Sequence, residues 1–216
     1  MSEDKEEILA TRVRQRTLEV GILLFPEIEI LDFAGPYEVF SVASRIAARE
    51  GLLAHPPFQV QTIAAERRPV RARHGLVVLP DAGFADHPPC DLLIVPGGVV
   101  TQPVHDPATL SWVRQSAQRA ALTASVCTGA FILAKAGLLH GRTATTHWED
   151  IADLRAQFPD LSVVESVPYV DLGSLITSAG ISAGIGMSLH IVARVLGAAA
   201  AETTARQMQY DWRDTP

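Results

Sequence analysis

The chain has 216 residues, 48% of them hydrophobic and 19% charged, which suits one domain with a substantial apolar core. Its formal net charge of -6 argues against DNA or another polyanion as a primary partner. The two cysteines are too few for a disulfide framework, the first seven residues are acidic and polar, and no apolar run is long enough to span a membrane. We therefore expect a cytoplasmic protein that binds neither nucleic acid nor a membrane.

Segments of strand character alternate with segments of helical spacing along the chain. Residues 1–17 are charge-rich and predict a flexible tail or a frayed helix, followed by a single domain over 18–216. Strands are predicted at 18–25, 58–64, 75–79, 91–98, 122–126, 143–146, 161–167 and 174–177, the last two as a pair around a turn. Helices are predicted at 36–46, 107–121, 128–136, 149–158, 184–196 and 201–211. This alternation predicts an α/β sandwich with a mostly parallel sheet.

Common signatures of cofactor and metal binding are missing from the sequence. Neither G-x-G-x-x-G nor G-x-x-x-x-G-K-[ST] occurs, so nothing points to a dinucleotide or a nucleoside triphosphate. The seven histidines are scattered, with no H-E-x-x-H and no pair spaced by four residues beside a carboxylate. We therefore expect neither a cofactor nor a metal.

Cys127 lies where a strand is expected to become a helix, directly before Thr128. Such a turn strains the backbone of its central residue and lifts the side chain out of the sheet. It also places the thiol near a helix N-terminus, whose partial positive charge favours the thiolate. The N–H groups of Thr128 and of Gly98, in a second tight turn, could then face a developing anion. The alternative for Cys127 is a small buried core residue, which is also the interpretation of Cys90.

Six motifs, taken in chain order, carry a resemblance to a known family. They are L-L-F-P (23–26), L-D-F-A-G-P (31–36), V-P-G-G (95–98), S-V-C-T-G (125–129), A-T-T-H-W (144–148) and T-S-A-G-I-S-A-G (177–184). Together they resemble the ThiJ/PfpI superfamily over about residues 18–212. Within it the pattern is similar to the isonitrile hydratase branch and to the amidotransferase-like domain of AraC-type regulators. The resemblance implies a flavodoxin-like three-layer sandwich, usually a homodimer, with Cys127 on a nucleophile elbow.

The resemblance also implies an acidic residue that hydrogen-bonds the cysteine sulfur from the end of the first strand. In the hydratase branch this is the Asp of L-D-x-x-G-P, here Asp32; other branches use a Glu, which makes Glu27 or Glu29 the rival. Asp32 could instead cap the helix expected near Pro36. His147 is placed near the elbow, either as an activating imidazole or as a packed, hydrogen-bonded side chain.

The remaining candidates come from the same motifs. Thr128 is expected to act through its backbone, with its hydroxyl as a possible substrate contact, and Gly97 and Ile181 are expected to support the site. The last motif commonly continues A-G-I-D in relatives, whereas Gly186 stands in place of that Asp here. This departure leaves open what the Asp supports in relatives, whether helix capping near the site or the substrate pocket itself.

The leading hypothesis is hydration of an isocyanide to an N-substituted formamide through a covalent thioimidate on Cys127. Asp32 would move the protons, and N–H groups near Gly98 and Thr128 would stabilise the anion. The alternatives are glyoxalase-like chemistry on an α-oxoaldehyde, an amidase or protease activity, and a non-enzymatic ligand or redox sensor. Direct control of transcription is not expected, because no helix-turn-helix segment follows the matched part.

Overall fold

A computed structural model describes the backbone of residues 3–213 and the side chains of residues 8–213. The strands in this part are β1 (Leu18–Leu23), β2 (Phe58–Ala64), β3 (Val70–Arg71), β4 (Val77–Val78), β5 (Ala82–Gly83), β6 (Leu92–Val95), β7 (Leu122–Val126), β8 (Thr143–Ala144), β9 (Ser162–Val163), β10 (Tyr169–Asp171) and β11 (Leu175–Ser178). The α-helices are α1 (Glu3–Gln15), α2 (Ile30–Glu50), α3 (Pro107–Arg119), α4 (Gly129–Lys135), α5 (Ile151–Gln157), α6 (Ala183–Leu196) and α7 (Ala198–Gln207).

A seven-stranded sheet in the order β10-β11-β7-β6-β1-β2-β5 forms the centre of the molecule. Every neighbouring pair is parallel except β10 and β11, which form an antiparallel edge. Strands β6 and β7 are buried at every position, as expected for strands covered by helices on both faces. The predicted mixed α/β sandwich with a mostly parallel sheet is therefore confirmed.

The direction in which the chain winds places a crevice between β1 and β6. Helix α2 connects β1 to β2 in one direction along the sheet, whereas α3 connects β6 to β7 in the opposite direction. Because such crossovers are right-handed, the two helices cover opposite faces. Ligands bind outside the carboxyl ends of the strands at such a reversal. Strand β7, which ends just before Cys127, is the next neighbour of β6.

Helix α1 occupies the segment for which a flexible tail or a frayed helix was expected. Its Leu9 and Val13 are buried in the main core. Arg12 and Arg16 reach the carboxylate of Asp91 at 3.0 Å and 2.7 Å. The charge-rich sequence indicated exposure, but the two apolar positions lie four residues apart on one helical face and bury that face.

Two other boundaries differ from those predicted. Helix α2 begins at Ile30, so Pro36 lies inside the helix rather than at its first turn. The strand predicted at 161–167 is reduced to β9, which pairs with β8 in a separate two-stranded sheet. The hairpin partner of β11 is β10 instead. Pairing partners depend on contacts between distant segments, which periodicity alone does not reveal.

Candidate active site

Cys127 occupies a strained turn between β7 and α4. Its φ of 57° lies in the left-handed region, which non-glycine residues rarely adopt. Gly129 allows the turn to pass close to β6, because a Cβ there would lie 2.1 Å from the carbonyl oxygen of Val95. Cys127 is 7% exposed. The predicted strand-to-helix elbow is present, and it sets the thiol at the carboxyl edge of the sheet.

The carboxyl group of Asp32 lies beside this thiol. Asp32 is fully buried in the first turn of α2, and its Oδ2 accepts a hydrogen bond from the N–H of Gly97 at 3.0 Å. Its Oδ1 has no regular hydrogen-bond partner among the described residues. Burial raises the pKa of Asp32 to about 7, against the opposing effects of the Gly97 N–H and the Cys127 thiol. Asp32 therefore can hold or release a proton near neutral pH.

The alternatives to Asp32 as the acidic neighbour lie elsewhere. Glu29 forms an ion pair with Arg73 at 3.2 Å, and it acts on Asp32 only by raising its pKa through charge. Glu27 occupies a positive-φ turn whose backbone binds Arg71 and Val99. The side chain of Asp32 does not cap α2 either: the N-cap position is Glu29, and the Asp32 carboxylate accepts from Gly97 instead.

The backbone N–H groups of Thr128 and Ile181 lie close enough to the sulfur of Cys127 to lower the pKa of its thiol. Ile181 has a φ of 51°, so the loop after β11 is held in an unfavourable backbone conformation at this contact. These donors lower the pKa of the thiol, but burial and the negative charge of Asp32 outweigh them and raise it to about 12. The expected stabilisation of the thiolate by the helix N-terminus is therefore overcome, and the resting group is a thiol.

The V-P-G-G turn supports the elbow rather than offering a free donor. The N–H of Gly98 donates to the hydroxyl oxygen of Thr128 at 2.9 Å, and this hydroxyl donates to the carbonyl of Gly98 at 2.9 Å. The N–H of Gly97 is used by Asp32. The N–H of Gly98, which we expected to face a developing anion, is thus used by Thr128 here, and its role in the reaction stays a prediction. The Thr128 hydroxyl is engaged by the same turn, and its contact with a substrate also stays a prediction.

His147 is a packed side chain next to the site. Its ring lies against Gly180, where a Cβ would be 1.9 Å from His147 Cδ2. Nδ1 accepts from the N–H of Glu149 at 3.3 Å and lies 3.4 Å from a carboxylate oxygen of Asp150. No hydrogen bond between this ring and Cys127 occurs among the described residues. The arrangement favours the packed interpretation of His147 over an activating imidazole.

A pocket of about 400 Å³ opens beside the elbow and shares Gly98 and Thr128 with it. Val104, Phe131 and Asp150 are among the residues that line it. Asp150 is close enough to Cys127 to raise the pKa of the thiol slightly through its charge. Sequence reasoning missed this pocket, because Asp150 follows the A-T-T-H-W motif without any recognisable spacing of its own.

Gly186, which replaces the common Asp, lies in the first turns of α6. Its carbonyl oxygen accepts a hydrogen bond from the indole N–H of Trp212 at 3.2 Å. A Cβ at Gly186 would approach the hydroxyl of Tyr210 no closer than 3.8 Å. The C-terminal segment after α7 is thus anchored to α6 at the position of the missing carboxylate.

Two kinds of site are not found in the described part of the chain. None of its helices is both long and apolar enough to cross a membrane. Across residues 8–213, whose side chains are described, no three or more His, Cys, Asp or Glu side chains converge in a way that could hold a metal ion.

A doubly wound sheet with a cysteine at a positive-φ elbow and a buried carboxyl group beside it defines the class of protein. The chain belongs to the DJ-1/PfpI family, whose sequence signature matches residues 19–194. It is 36% identical over 198 residues to the isonitrile hydratase of Pseudomonas putida, a match that covers 89% of this chain and 78% of that protein. The resemblance drawn from the six motifs is thereby confirmed at the level of the family.

Other relatives show how widely this domain is used. The chain is 33% identical to the HTH-type transcriptional regulator CdhR of Pseudomonas aeruginosa, covering 81% of this chain but only 50% of the regulator. The solved ThiJ/PfpI family protein from Pseudomonas syringae superposes with a TM-score of 0.78 at 29% identity, covering 93% of this chain and 78% of that one. Drosophila melanogaster DJ-1beta shares the fold, with a TM-score of 0.75 at 20% identity over 91% of this chain and all of that one.

Proposed function

We propose that the protein is a cysteine-dependent hydratase, a lyase that converts isocyanides to N-substituted formamides. The observation that carries the proposal is the pairing of Cys127 with a fully buried carboxyl group whose pKa is raised to about 7. A group of this kind can take a proton from a thiol and return it within one reaction cycle. The similarity to the isonitrile hydratase of Pseudomonas putida supports the choice of substrate.

The first half of the reaction follows from the protonation states of Cys127 and Asp32 before the substrate binds. The thiol of Cys127 is protonated, because burial raises its pKa to about 12. Ionised Asp32 accepts that proton as sulfur attacks the terminal carbon of the isocyanide, and Asp32 then delivers it to the same carbon. A C–S bond and a C–H bond form, and the product is a thioimidate. The N–H groups of Thr128 and Ile181 stabilise the sulfur while it carries negative charge.

The second half returns the enzyme to its starting state. Asp32 accepts a proton from water as the water oxygen adds to the thioimidate carbon, and it passes this proton to the nitrogen. The C–S bond then breaks as a carbonyl forms, and Asp32 takes the proton of the hydroxyl group and returns it to the leaving sulfur, which Thr128 and Ile181 hold until it is again a thiol. One water is consumed and one formamide released, so no cofactor takes part in this scheme.

The test is turnover of an aryl and an alkyl isocyanide, with formamide formation followed by NMR. We expect turnover by the wild type and a loss of at least about 10³-fold in Cys127→Ala and in Asp32→Asn, because each removes a group that forms or breaks a bond. The matched control, Cys90→Ala, removes the other thiol, which is buried away from the elbow near His87. Equal turnover by Cys127→Ala would contradict the proposal. Binding without turnover would favour a ligand sensor, the role suggested by the similarity to regulators.

A further inference from the structure

The A-T-T-H-W segment (144–148) makes a contact with the elbow through Thr146. The hydroxyl of Thr146 donates a hydrogen bond to the carbonyl oxygen of Cys127 at 2.8 Å. Both residues are buried, so water competes little for this bond. A second donor to the same carbonyl, the N–H of Ala130, lies farther away at 3.4 Å. The Thr146 hydroxyl is therefore the closer of the two groups that hold the Cys127 carbonyl.

The peptide unit between Cys127 and Thr128 connects this hydroxyl to the sulfur. A peptide unit is planar and trans, so its C=O and N–H groups point in opposite directions and turn only together. The carbonyl of this unit is the one that Thr146 holds, and its N–H is one of the two groups that lower the pKa of the Cys127 thiol. A hydrogen bond to the carbonyl also polarises the unit and strengthens its N–H as a donor. Thr146 thus acts on the sulfur from the far side of the peptide unit.

Thr146 is itself held in place by its two neighbours in the chain. The N–H of Thr145 donates to the hydroxyl oxygen of Thr177 on β11 at 2.9 Å, and both residues are buried. The ring of His147 packs so closely against Gly180 that a Cβ there would lie 1.9 Å from it. A side chain whose backbone is fixed on both sides presents its hydroxyl at one position, which is the requirement for orienting another group.

The strained backbone of Cys127 needs such a partner. A positive φ of 57° persists only where surrounding contacts hold it. The N–H of Cys127 is held by the carbonyl oxygens of Ser178 and Ala179, each at 3.2 Å. On the other side of the residue, the carbonyl is held by Thr146. Loss of the Thr146 hydroxyl would leave the long contact with Ala130 to hold this carbonyl, and the peptide unit could then rotate.

We propose that Thr146 is a positioning residue of the active site, whose hydroxyl orients the peptide unit between Cys127 and Thr128 so that the Thr128 N–H faces the sulfur while it carries negative charge. The inference rests on the proposed function for the reaction in which that charge develops. The effect on the reactivity of the thiol itself does not depend on the identity of the substrate, so the two can be tested separately.

The experiment measures the rate at which iodoacetamide alkylates Cys127 between pH 7 and 10, in a Cys90→Ala background that removes the other thiol. Iodoacetamide reacts with the thiolate, so its rate reports how well the anion is stabilised. Thr146→Val keeps the shape and removes the hydroxyl, and it should slow alkylation by about three- to tenfold at each pH, the effect of weakening one hydrogen bond to a charged group. Thr146→Ser keeps the hydroxyl and should stay within about twofold of the parent. In isocyanide hydration, Thr146→Val should lower kcat by a similar factor and leave KM within about twofold, because the N–H acts on charge that develops during the reaction.

The matched control is Thr204→Val, which makes the same chemical change at another buried threonine. The hydroxyl of Thr204 donates to the carbonyl oxygen of Ala200 within α7 at 2.7 Å, so this variant should leave alkylation and turnover unchanged even if urea unfolding shows a loss of stability. If Thr146→Val does not fold, Thr146→Ala, which removes the hydroxyl without a branched side chain, takes its place against Thr146→Ser.

Two results would overturn the inference: alkylation of Thr146→Val, or of Thr146→Ala in its place, at the parent rate, or alkylation of Thr146→Ser that is as slow as that of the variant without a hydroxyl. Failure of the proposed function gives a different pattern. Slow alkylation of Thr146→Val, restored in Thr146→Ser, together with no turnover of any isocyanide by the wild type, would support the role of Thr146 and contradict the hydratase.

Discussion

At the scale of single residues, the site depends on the burial of Cys127 and Asp32 together. Burial alone would make the thiol a poor nucleophile, since it raises the pKa to about 12. The same burial raises the pKa of Asp32 to about 7, where a carboxyl group exchanges protons readily. Burial thus makes Cys127 harder to ionise, but it also makes Asp32 a group that can accept the thiol proton.

The first prediction is a rise in kcat/KM with pH through about 7. Asp32 must be ionised to accept the thiol proton, and burial places its pKa at about 7, so activity should be low at pH 5 and level off near pH 8. The pH profile of isocyanide hydration measures this. In Asp32→Glu the longer side chain changes the position of the carboxyl group, so its residual activity should show a shifted midpoint. A wild-type profile flat between pH 5 and 8 would exclude Asp32 as the base.

The second prediction concerns the stability cost of the same group. A pKa raised from 3.8 to about 7 means that ionised Asp32 destabilises the fold by up to about 4 kcal/mol. The folded state binds the Asp32 proton more tightly than the unfolded state does. The stabilisation that protonated Asp32 contributes is therefore fully present below pH 3.8 and is lost as pH rises through 7.

Replacement by asparagine removes the cost of this ionisation. We expect Asp32→Asn to increase the free energy of unfolding relative to wild type at pH 8, with a gain that shrinks towards pH 4. Urea unfolding at a series of pH values measures it. Cys90→Ala, which changes another buried site, should show no pH-dependent difference of this size. A gain independent of pH would mean that charge burial is not its cause.

At the scale of elements, the elbow depends on glycines that allow close contact between α4 and the V-P-G-G turn. The third prediction compares two glycine substitutions in helices. In Gly129→Ala the new Cβ would lie 2.1 Å from the carbonyl oxygen of Val95, so the backbone must shift, at a cost of about 1–3 kcal/mol or more. Isocyanide turnover should fall as well, because the shift moves Cys127.

The matched control for this prediction is Gly186→Ala. Its Cβ has room, with the Tyr210 hydroxyl 3.8 Å away, and alanine is favoured over glycine in a helix by about 0.5–1 kcal/mol. Gly186→Ala should therefore be neutral or stabilising in urea unfolding. If both variants unfold at the same denaturant concentration, close packing at Gly129 is not what constrains the elbow.

Sequence patterns predicted the strand and the helix that carry the site better than they predicted which groups hydrogen-bond one another there. The strand before Cys127 and the helix after it were predicted because local periodicity and the glycine pattern are contained in a few residues. Ile181 was predicted only as a supporting residue, and the bond that engages the N–H of Gly98 was not predicted. Which N–H groups are free depends on the bond between Gly98 and Thr128, and nothing local to either residue reveals it.

At the scale of the whole molecule, large apolar side chains remain exposed in the isolated chain. Trp148 is 75% exposed beside His147, and Leu76, Val77 and Leu79 are exposed around β4. Clusters of exposed apolar side chains can form interfaces with other protein chains. The homodimer implied by the family resemblance stays a prediction, and these are the surfaces that it should involve.

The fourth prediction is that the protein sediments as a dimer at micromolar concentration. Trp148→Glu and Val77→Glu each place a charge on one of the two exposed apolar surfaces, and the one that lies in the interface should shift the protein towards the monomer. Analytical ultracentrifugation over a concentration series measures this. A wild type that remains monomeric at 100-fold higher concentration would contradict the prediction.

The sequence by itself determined the family, the alternation of strands and helices, and the position of Cys127, because each is contained in a short run of residues. Only the tertiary structure decided which groups surround the sulfur. Asp32 and Gly97 are 65 residues apart and Cys127 and Ile181 are 54 apart, and they meet because parallel strands bring their carboxyl ends to one edge. The protonation states of Cys127 and Asp32 depend on these contacts. Burial raises both pKa values, and burial is a property of the assembled fold.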